Sequence, residues 1–238
     1  MHTPVLTLLV TSVKKFSHHI IRDFSELEFL ASNKESANKF ATDSTTKLQQ
    51  NLYNDLKNFK PNYSFYFSNL PNILNRDTSN FFYIHGIMGF ESYKRASLNF
   101  GIAISLFRDN KIFAGVIYNP ISGDLFFAEH NEGAFYKQKR LHLNNLPYTT
   151  KEHSTLLMSY DSKALEEDKE KISNAIYTFN GNPALEIGNF AANKLDKISF
   201  KNNYIYNDLA FATLLAKESG VILKYTINDK FITNIYNE

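Results

Sequence analysis

Histidine, aspartate and glutamate are the residue types through which this chain could carry out acid–base or metal chemistry. The chain has no cysteine, which excludes disulfide bonds, thiolate metal sites and cysteine nucleophiles. Serine, histidine and aspartate all occur, but no glycine pattern of the nucleophile-elbow type supports a serine hydrolase. His18 and His19 lie on a predicted helix, where adjacent side chains point apart, so this pair does not predict a metal site.

His85, Met88 and Asp208 are the residues at which two interpretations compete. His85 could hold zinc or a similar ion, but such a site needs about three protein ligands, and no acidic or histidine neighbours are visible to supply them. The Met88 thioether suits soft metals rather than hard ones. His85 is also explained as a strand-end histidine with an ordinary hydrogen bond, and Asp208 as an N-cap or first-turn anion of the last helix.

The elements that would position these residues follow from the spacing of apolar residues. Helices are predicted from Pro4 past Phe24, from Thr42 or Asp43 past Leu56, from Ser162 to Tyr177, near Ala191, and from Asp208 to Lys217 with a cap at Gly220. Strands are predicted over 98–106, 112–118, 125–128, 134–136 and 155–160. The polar stretch 32–39 is interpreted as a connection between the first two helices. The strands of the middle part form an antiparallel meander.

Length and composition predict one compact α+β unit. The 238 residues are 43% hydrophobic and 21% charged, enough to bury a normal core. We divide the chain into an N-terminal half, 1–147, with two helices and an antiparallel sheet, and a C-terminal α/β half, 148–238. The high Asn, Lys and Ile content suggests an AT-rich bacterial genome.

Charge and the first residues bear on partners and location. A net charge of +2 does not favour direct nucleic-acid binding. There is no run of about 20 apolar residues, so no membrane partner is expected. The first residues do not resemble a secretion signal, and we expect a cytoplasmic protein.

The meander carries a resemblance to a known family. Residues 115–120 (GVIYNP), 124–128 (DLFFA) and 133–135 (GAF) closely resemble consecutive strands of the inositol monophosphatase family, bacterial extragenic-suppressor type. Further segments follow in the same order over roughly the whole chain: 40–43, 62–69, 82–93, 207–210 and 217–220. The resemblance implies the family's layered α-β-α-β-α sandwich, somewhat truncated.

In that family, carboxylates hold magnesium ions that polarise the phosphate and activate a water molecule, and this chain differs at most of those positions. The two glutamates of the family's G-E-E fall on Ser68 and Asn69. The aspartates of D-P-x-D-G fall on His85 and Met88. The water-orienting threonine falls on Phe90, its partner aspartate on Thr45, and the W-D aspartate is retained as Asp208.

The substrate-binding positions differ as well. Gly89 and Glu91 match the phosphate-binding loop, where the Glu91 carboxylate would repel a phosphate. The family's R-x-x-G-[ST]-A segment falls on residues 185–190, so Leu185 replaces its arginine. A glutamate that contacts sugar hydroxyls in the family falls on Phe200.

Two functions remain open from the sequence. The first is a catalytically inactive family member, a pseudoenzyme without a cofactor, that acts as a binding or scaffold protein. The resemblance then implies a homodimer or another protein partner, because relatives form dimers and some resemble factors of ribosomal-RNA transcription complexes. The alternative is an active phosphatase of inositol phosphates or related sugar phosphates, with a metal site rebuilt around His85 and Asp208 and Mg2+ or another ion as its cofactor.

Overall fold

The structure is a computed structural model that describes residues 2–75, 77–142, 155–167 and 175–237. Its helices are α1 (Pro4–Leu30), α2 (Lys34–Leu56), α3 (Phe90–Tyr93), α4 (Ser162–Glu167), α5 (Pro183–Ala191) and α6 (Tyr206–Glu218). The strands of the first sheet are β1 (Tyr63–Phe67), β2 (Asp77–Met88), β3 (Gly101–Arg108), β4 (Lys111–Asn119), β5 (Asp124–Glu129), β6 (Gly133–Tyr136) and β7 (Lys139–Arg140). The strands of the second sheet are β8 (Leu156–Tyr160), β9 (Ala175–Thr178), β10 (Lys197–Phe200), β11 (Tyr204–Ile205), β12 (Leu223–Asn228) and β13 (Phe231–Asn237).

These elements form five layers. Helices α1 and α2 pack on one face of the first sheet, whose strands lie in the order β1 to β7. Helices α5 and α6 lie between the two sheets, and α4 packs against β8 and β10 of the second sheet. The second sheet has the order β11-β13-β10-β8-β9, with β12 on β13. The predicted α+β class and α-β-α-β-α sandwich are confirmed.

Helix α1 begins as its sequence predicts and continues past Phe24, also as predicted. Pro4 is in the first turn, and the Thr3 hydroxyl accepts a hydrogen bond from the Leu6 backbone N–H at 3.2 Å. Its buried residues continue to Leu27, so the helix extends beyond Phe24 to Leu30.

The predicted start of α2 at residue 42 or 43 is wrong, since the helix begins at Lys34. The Asn33 side chain caps it, accepting from the Ser36 backbone N–H at 3.1 Å. The stretch 32–39 lacks large apolar residues, but Ala37 is buried where α2 packs against α1. A small side chain is enough for that contact, and hydrophobic spacing did not detect it.

The meander of β3, β4, β5 and β6 is confirmed, with strand boundaries that differ from the predicted ones by up to three residues. The first of these strands begins at Gly101, not at residue 98. Strand β2 was not predicted, although it runs for 12 residues between β1 and β3. It carries aromatic and small residues without strict alternation, because both of its faces are covered.

The C-terminal half contains the clearest error. The helix predicted over 162–177 is helical only at Ser162–Glu167 within the described residues, and residues 168–174 are outside them. Ala175–Thr178 is strand β9, paired in parallel with β8. Pairing with a neighbouring strand overrides local helix propensity here. The predicted division at residues 147 and 148 also lies outside the described residues.

Helix α6 connects the two halves. It begins at Tyr206, and Gly220 follows its end with a φ of +83°, which confirms the predicted cap. A Cβ atom on Gly115 of β4 would lie 2.4 Å from the Phe211 ring, so α6 packs directly on the first sheet. The described part of the chain has no helix both long and apolar enough to span a membrane.

Candidate functional site

His85 lies in a β-bulge of β2. The pairing of β2 with β3 shifts register between Ile84 and Gly86, which leaves His85 without a partner on β3. Gly86 has a φ of +69°, and a Cβ atom there would lie 2.8 Å from Cγ of Gln49. Bulges of this kind redirect a side chain, and they need a residue that tolerates a left-handed backbone. His85 is therefore an interior residue of the strand rather than the strand-end residue that was predicted.

The structure brings His85 and Asp208 together. His85 is 3% exposed, and its Nδ1 atom lies 3.3 Å from Oδ1 of Asp208. The Tyr83 hydroxyl donates to the same carboxylate oxygen at 3.0 Å. Burial, reinforced by the negative charge of Asp208, raises the pKa of Tyr83, so the phenol stays protonated and remains a donor at neutral pH. Asp208 thus contacts the side chains of both Tyr83 and His85.

Asp208 belongs to the first turn of α6. The N-cap position is Ile205, which makes no side-chain hydrogen bond, so the alternative of Asp208 as the N-cap is wrong. The Asp208 side chain is 35% exposed. A carboxylate in the first helical turn is favoured by the helix dipole without any metal.

Ser68 and Thr45 do not contribute charge to this site. Ser68 is exposed, and its hydroxyl donates to the His85 carbonyl at 2.8 Å. Thr45 is fully buried on α2, and its hydroxyl has no hydrogen-bond partner among the described residues. Both positions match metal or water ligands of the family, and both now hold neutral side chains.

Sequence reasoning missed two residues at this site, Gln49 and Tyr83. The Gln49 amide nitrogen lies within 3.1 Å of the Ser68 hydroxyl and of the Ile84 and His85 carbonyls, so it holds the bulge in place. Gln49 is four residues after Thr45 on one helix, and Tyr83 is two residues before His85 on one strand. Residues at these two spacings lie on a shared face of a helix or a strand. This is the sequence signal that could have identified Gln49 and Tyr83.

The segment from Met88 to Glu91 is a turn held by packing. Gly89 has a φ of +83°, and a Cβ atom there would lie 2.5 Å from the Asn99 carbonyl oxygen. Met88 packs against the core between the sheets, whereas Phe90 packs against the core under α1 and α2. Glu91 is paired with Lys94 at 2.6 Å on the surface. These side chains do not form a cluster of ligands.

The substrate side of the family site is apolar core in this chain. Leu185, Phe190 and Phe200 are all at least nine-tenths buried, and they belong to the core cluster that Met88 contacts. Asn182, the N-cap of α5, donates to the Met88 carbonyl at 3.3 Å and joins this cluster to the turn. The positions that the resemblance matches to substrate contacts are therefore part of the hydrophobic core.

The residues present do not suit a magnesium centre. Among the residues that the structure describes, no group of three or more His, Cys, Asp or Glu could hold a metal ion. Magnesium takes oxygen ligands in near-octahedral geometry, usually with one or two carboxylates and substrate phosphate oxygens. Asp208 supplies one carboxylate, and that carboxylate already accepts a hydrogen bond.

Comparisons with known proteins agree with the sequence resemblance. The model of the inositol monophosphatase family matches residues 1–228. The chain is 28% identical over 227 residues to an inositol-1-monophosphatase of Caulobacter vibrioides, covering 89% of this chain and 86% of that one. It is 21% identical over 235 residues to the Nus factor SuhB of Vibrio cholerae, covering 94% of this chain and 85% of that one.

A solved structure has the same fold. The extragenic suppressor protein SuhB of Bartonella henselae superposes with a TM-score of 0.79 at 22% identity, covering 99% of this chain and 94% of that one. Because the family model spans nearly all of the sequence, this protein belongs to the inositol monophosphatase family.

Proposed function

We propose that this protein is a catalytically inactive member of the inositol monophosphatase family that acts by binding other molecules. One observation supports the proposal above others. Of the positions that match metal-binding carboxylates, only Asp208 is acidic, and it accepts a hydrogen bond from Tyr83 and lies 3.3 Å from His85.

The physical reason is the cost of dehydrating a small divalent ion. Magnesium gives up its water molecules reluctantly, and negative oxygen ligands must compensate for them. The thioether of Met88 and the neutral hydroxyl of Ser68 provide little compensation. Without the metal, the family's means of activating water and stabilising the leaving oxygen are missing.

Calorimetric titration with magnesium, manganese and zinc, together with phosphate release from inositol 1-phosphate, tests this proposal. We expect no magnesium binding heat and no magnesium-dependent release of phosphate. The Caulobacter vibrioides relative serves as the positive control for the assay. Magnesium-dependent release that disappears in an Asp208→Asn variant would contradict the proposal.

A gain-of-function variant makes the same test sharper. Ser68→Glu, His85→Asp and Met88→Asp together introduce three carboxylates at positions that the resemblance matches to metal ligands. We expect magnesium to bind this variant and not the unchanged protein, because the backbone of the site is retained while the ligands are not. Equal magnesium affinity in both proteins would contradict the argument from ligand charge.

An active hydrolase with a rebuilt metal site is the second candidate. The contact between His85 and Asp208 favours it, as does the buried His85 Nε2 atom, which has no hydrogen-bond partner among the described residues. Zinc or manganese binding that is lost in a His85→Asn variant, together with metal-dependent phosphatase activity, would favour this candidate over the first.

We propose further that the binding role involves a protein partner, with self-association as its simplest form. The Nus factor name of the Vibrio cholerae relative supports a role in a protein assembly. Light scattering on the purified protein measures self-association directly. A particle of twice 27.4 kDa would establish a dimer, and a mass of 27.4 kDa at high concentration would exclude self-association.

A further inference from the structure

Strand β12 (Leu223–Asn228) forms an open edge of the second sheet. Among the described strands it pairs only with β13. Every residue of the strand after Leu223 is exposed. An edge strand directs a row of backbone N–H and C=O groups away from its sheet, and another strand can pair with them. The outer side of β12 is therefore open to pairing.

The other edges of the two sheets are shorter or covered. On β1, the Phe65 backbone exchanges two hydrogen bonds with Ile73, at 2.7 and 2.8 Å, which covers part of that edge. Strands β7 and β11 have two residues each, and both residues of β7 are cationic. Strand β9 has four residues, of which only Ile176 is exposed. Short strands, charged residues and covering segments are the usual means by which proteins prevent edge pairing.

Exposed apolar side chains concentrate around β12. Five large hydrophobic residues within 222–236 are exposed, and they are Ile222, Tyr225, Ile227, Phe231 and Tyr236. Single exposed hydrophobic residues are common at protein surfaces, whereas a group of them marks an interaction surface. The hairpin of β12 and β13 therefore has the composition of a binding surface.

The two faces of β12 differ in polarity. Side chains alternate along a strand, so Leu223, Tyr225 and Ile227 share one face. Ile227 pairs with the buried Ile232, which places this face toward the core between the sheets. Tyr225 and Ile227 remain 43% and 46% exposed there. The other face is polar and consists of Lys224, Thr226 and Asn228.

The backbone of β12 is regular enough to pair along its whole length. The register with β13 shifts between Lys224 and Thr226, which pair with Tyr236 and Thr233. One residue separates the first two and two residues separate the others, so the extra residue belongs to β13. Asn234 of β13 has a φ of +52°, as expected at a bulge. The outer strand β12 itself contains no insertion.

The sequence of β12 is self-complementary in an antiparallel arrangement. When Thr226 lies opposite Thr226 of a second copy, Tyr225 of each chain lies opposite Ile227 of the other. Aromatic and β-branched residues form favourable cross-strand pairs, and so do two threonines. Each exposed apolar side chain of the strand then has an apolar neighbour.

The charges of β12 are compatible with the same arrangement. Lys224 lies opposite Asn228 of the second copy, which is followed by the acidic Asp229. The two copies of Lys224 are four residues apart along the strands, or roughly 14 Å at about 3.4 Å per residue. Like charges are destabilising where they are directly opposed, and this arrangement has no such pair within β12.

We propose that two copies of this chain associate through β12, so that their second sheets form one continuous antiparallel sheet across a two-fold axis. The inference rests on the proposed role in protein binding and assigns a surface to it. Asp208 is in the first turn of α6, whereas β12 begins after the end of that helix, so the surface is distinct from the positions that match the metal site.

A single cysteine at the two-fold axis tests this arrangement. The chain has no cysteine, so Thr226→Cys introduces its only thiol. Directly opposed residues of antiparallel strands have Cα atoms roughly 4.5–5.5 Å apart, within the range of about 4.4–6.8 Å that a disulfide bond spans. We expect oxidation by dissolved oxygen to give a covalent dimer of twice 27.4 kDa on a non-reducing gel.

Asn228→Cys is the matched control for the cysteine variant. Asn228 is exposed on the same face of the same strand. In the proposed register, however, the two copies of this residue are roughly 14 Å apart along the strands. We expect no covalent dimer of this variant under the same conditions.

Tyr225→Lys tests the contribution of the apolar face. It removes two symmetry-related pairs with Ile227 and should raise the dissociation constant of the dimer roughly tenfold, measured by light scattering over a dilution series. Ile176→Lys is the control, because Ile176 is an exposed apolar residue of β9 at the opposite edge of the same sheet. Its dissociation constant should be unchanged. Melting temperatures verify that both variants are folded.

Three results would overturn the proposal. The first is a mass of 27.4 kDa at about 1 mM, which would exclude a second copy as the occupant and leave only a strand of a different protein. The second is equal cross-linking of Thr226→Cys and Asn228→Cys. The third is a dimer weakened by Ile176→Lys and not by Tyr225→Lys, which would retain self-association and reject β12 as its surface. The magnesium titration decides separately whether the metal centre is inactive.

Discussion

Asp208 lies at a position that the resemblance matches to a metal ligand of the family, and its contacts in this structure account for it without a metal. The Tyr83 hydroxyl donates to its carboxylate, and the first turn of α6 favours an anion there. The adjacent His85 supplies a second polar neighbour. Asp208 is thus part of a hydrogen-bonded pair that joins the two halves of the chain.

Tyr83→Phe should destabilise the protein by about 1 kcal/mol, since it removes the hydrogen bond to Asp208 and leaves the ring packing in place. Urea denaturation followed by circular dichroism measures this loss. Tyr118→Phe is a suitable control because its hydroxyl makes no hydrogen bond within the described residues. An equal loss in both variants would mean that the contact with Asp208 contributes nothing specific.

Glu186 gives the protein a pH dependence that can be measured. It is 1% exposed in the first turn of α5, and burial raises the pKa of its carboxyl despite a hydrogen bond from Asn180 at 2.7 Å. A raised pKa in the folded state means that this group's contribution to stability is largest below its unfolded pKa of about 4.3. That contribution is lost as pH rises through the folded pKa.

Glu186→Gln should therefore stabilise the protein at neutral pH, because glutamine still accepts from Asn180 but cannot become a buried charge. The difference in melting temperature from the unchanged protein should grow as the pH rises from about 4 to about 7 and should vanish at the acid end. A difference in melting temperature that stays constant over that pH range would contradict a raised pKa of Glu186 caused by burial.

At the scale of elements, the turn from β2 into α3 depends on the backbone of Gly89. This residue combines a φ of +83° with close contact to the Asn99 carbonyl, so both conformation and space exclude a side chain. The turn fixes Met88 against one core and Phe90 against the other.

Gly89→Ala should cost more than about 2 kcal/mol, from the left-handed conformation together with the clash. Gly123→Ala separates the two effects, because Gly123 has a φ of +70° with nothing within 4 Å of the added Cβ. That variant should lose only about 1 kcal/mol for the conformation alone. Chemical denaturation measures the free energy of unfolding of both variants. Equal losses would show that the turn at Gly89 rearranges and avoids the clash.

At the scale of the whole molecule, α6 makes the two sheets parts of one core. Phe211 is 2% exposed and contacts Gly115 of the first sheet. The same core cluster contains Ile117 and Phe126 from the first sheet and Ile198 and Ile232 from the second. We therefore expect the chain to unfold in one cooperative transition.

Phe211→Ala should lower the free energy of unfolding by about 3–5 kcal/mol, because it leaves a cavity between the sheets. Tyrosine fluorescence and circular dichroism should show the same shifted midpoint in urea. Phe211→Leu should lose less, since it retains part of the buried volume. Two separate transitions in the unchanged protein would contradict a shared core.

Much of the architecture could be predicted from local signals. Pro4 and Gly220 marked the beginning of α1 and the end of α6, and the alternating strands with their turns gave the meander. The start of α2 was misplaced because Ala37 makes a buried contact without a large side chain. Local helix propensity does not predict strand β9, because its parallel pairing with β8 is set by residues distant in sequence.

The sequence by itself determined the family and the layered fold, since these depend on residue types in a fixed order. Only the tertiary structure decided that Tyr83 and Asp208, 125 residues apart, share a hydrogen bond, and that Gln49 holds the bulge at His85. Hydrophobic spacing shows which face of an element is buried, whereas contacts between distant elements depend on how those faces pack together.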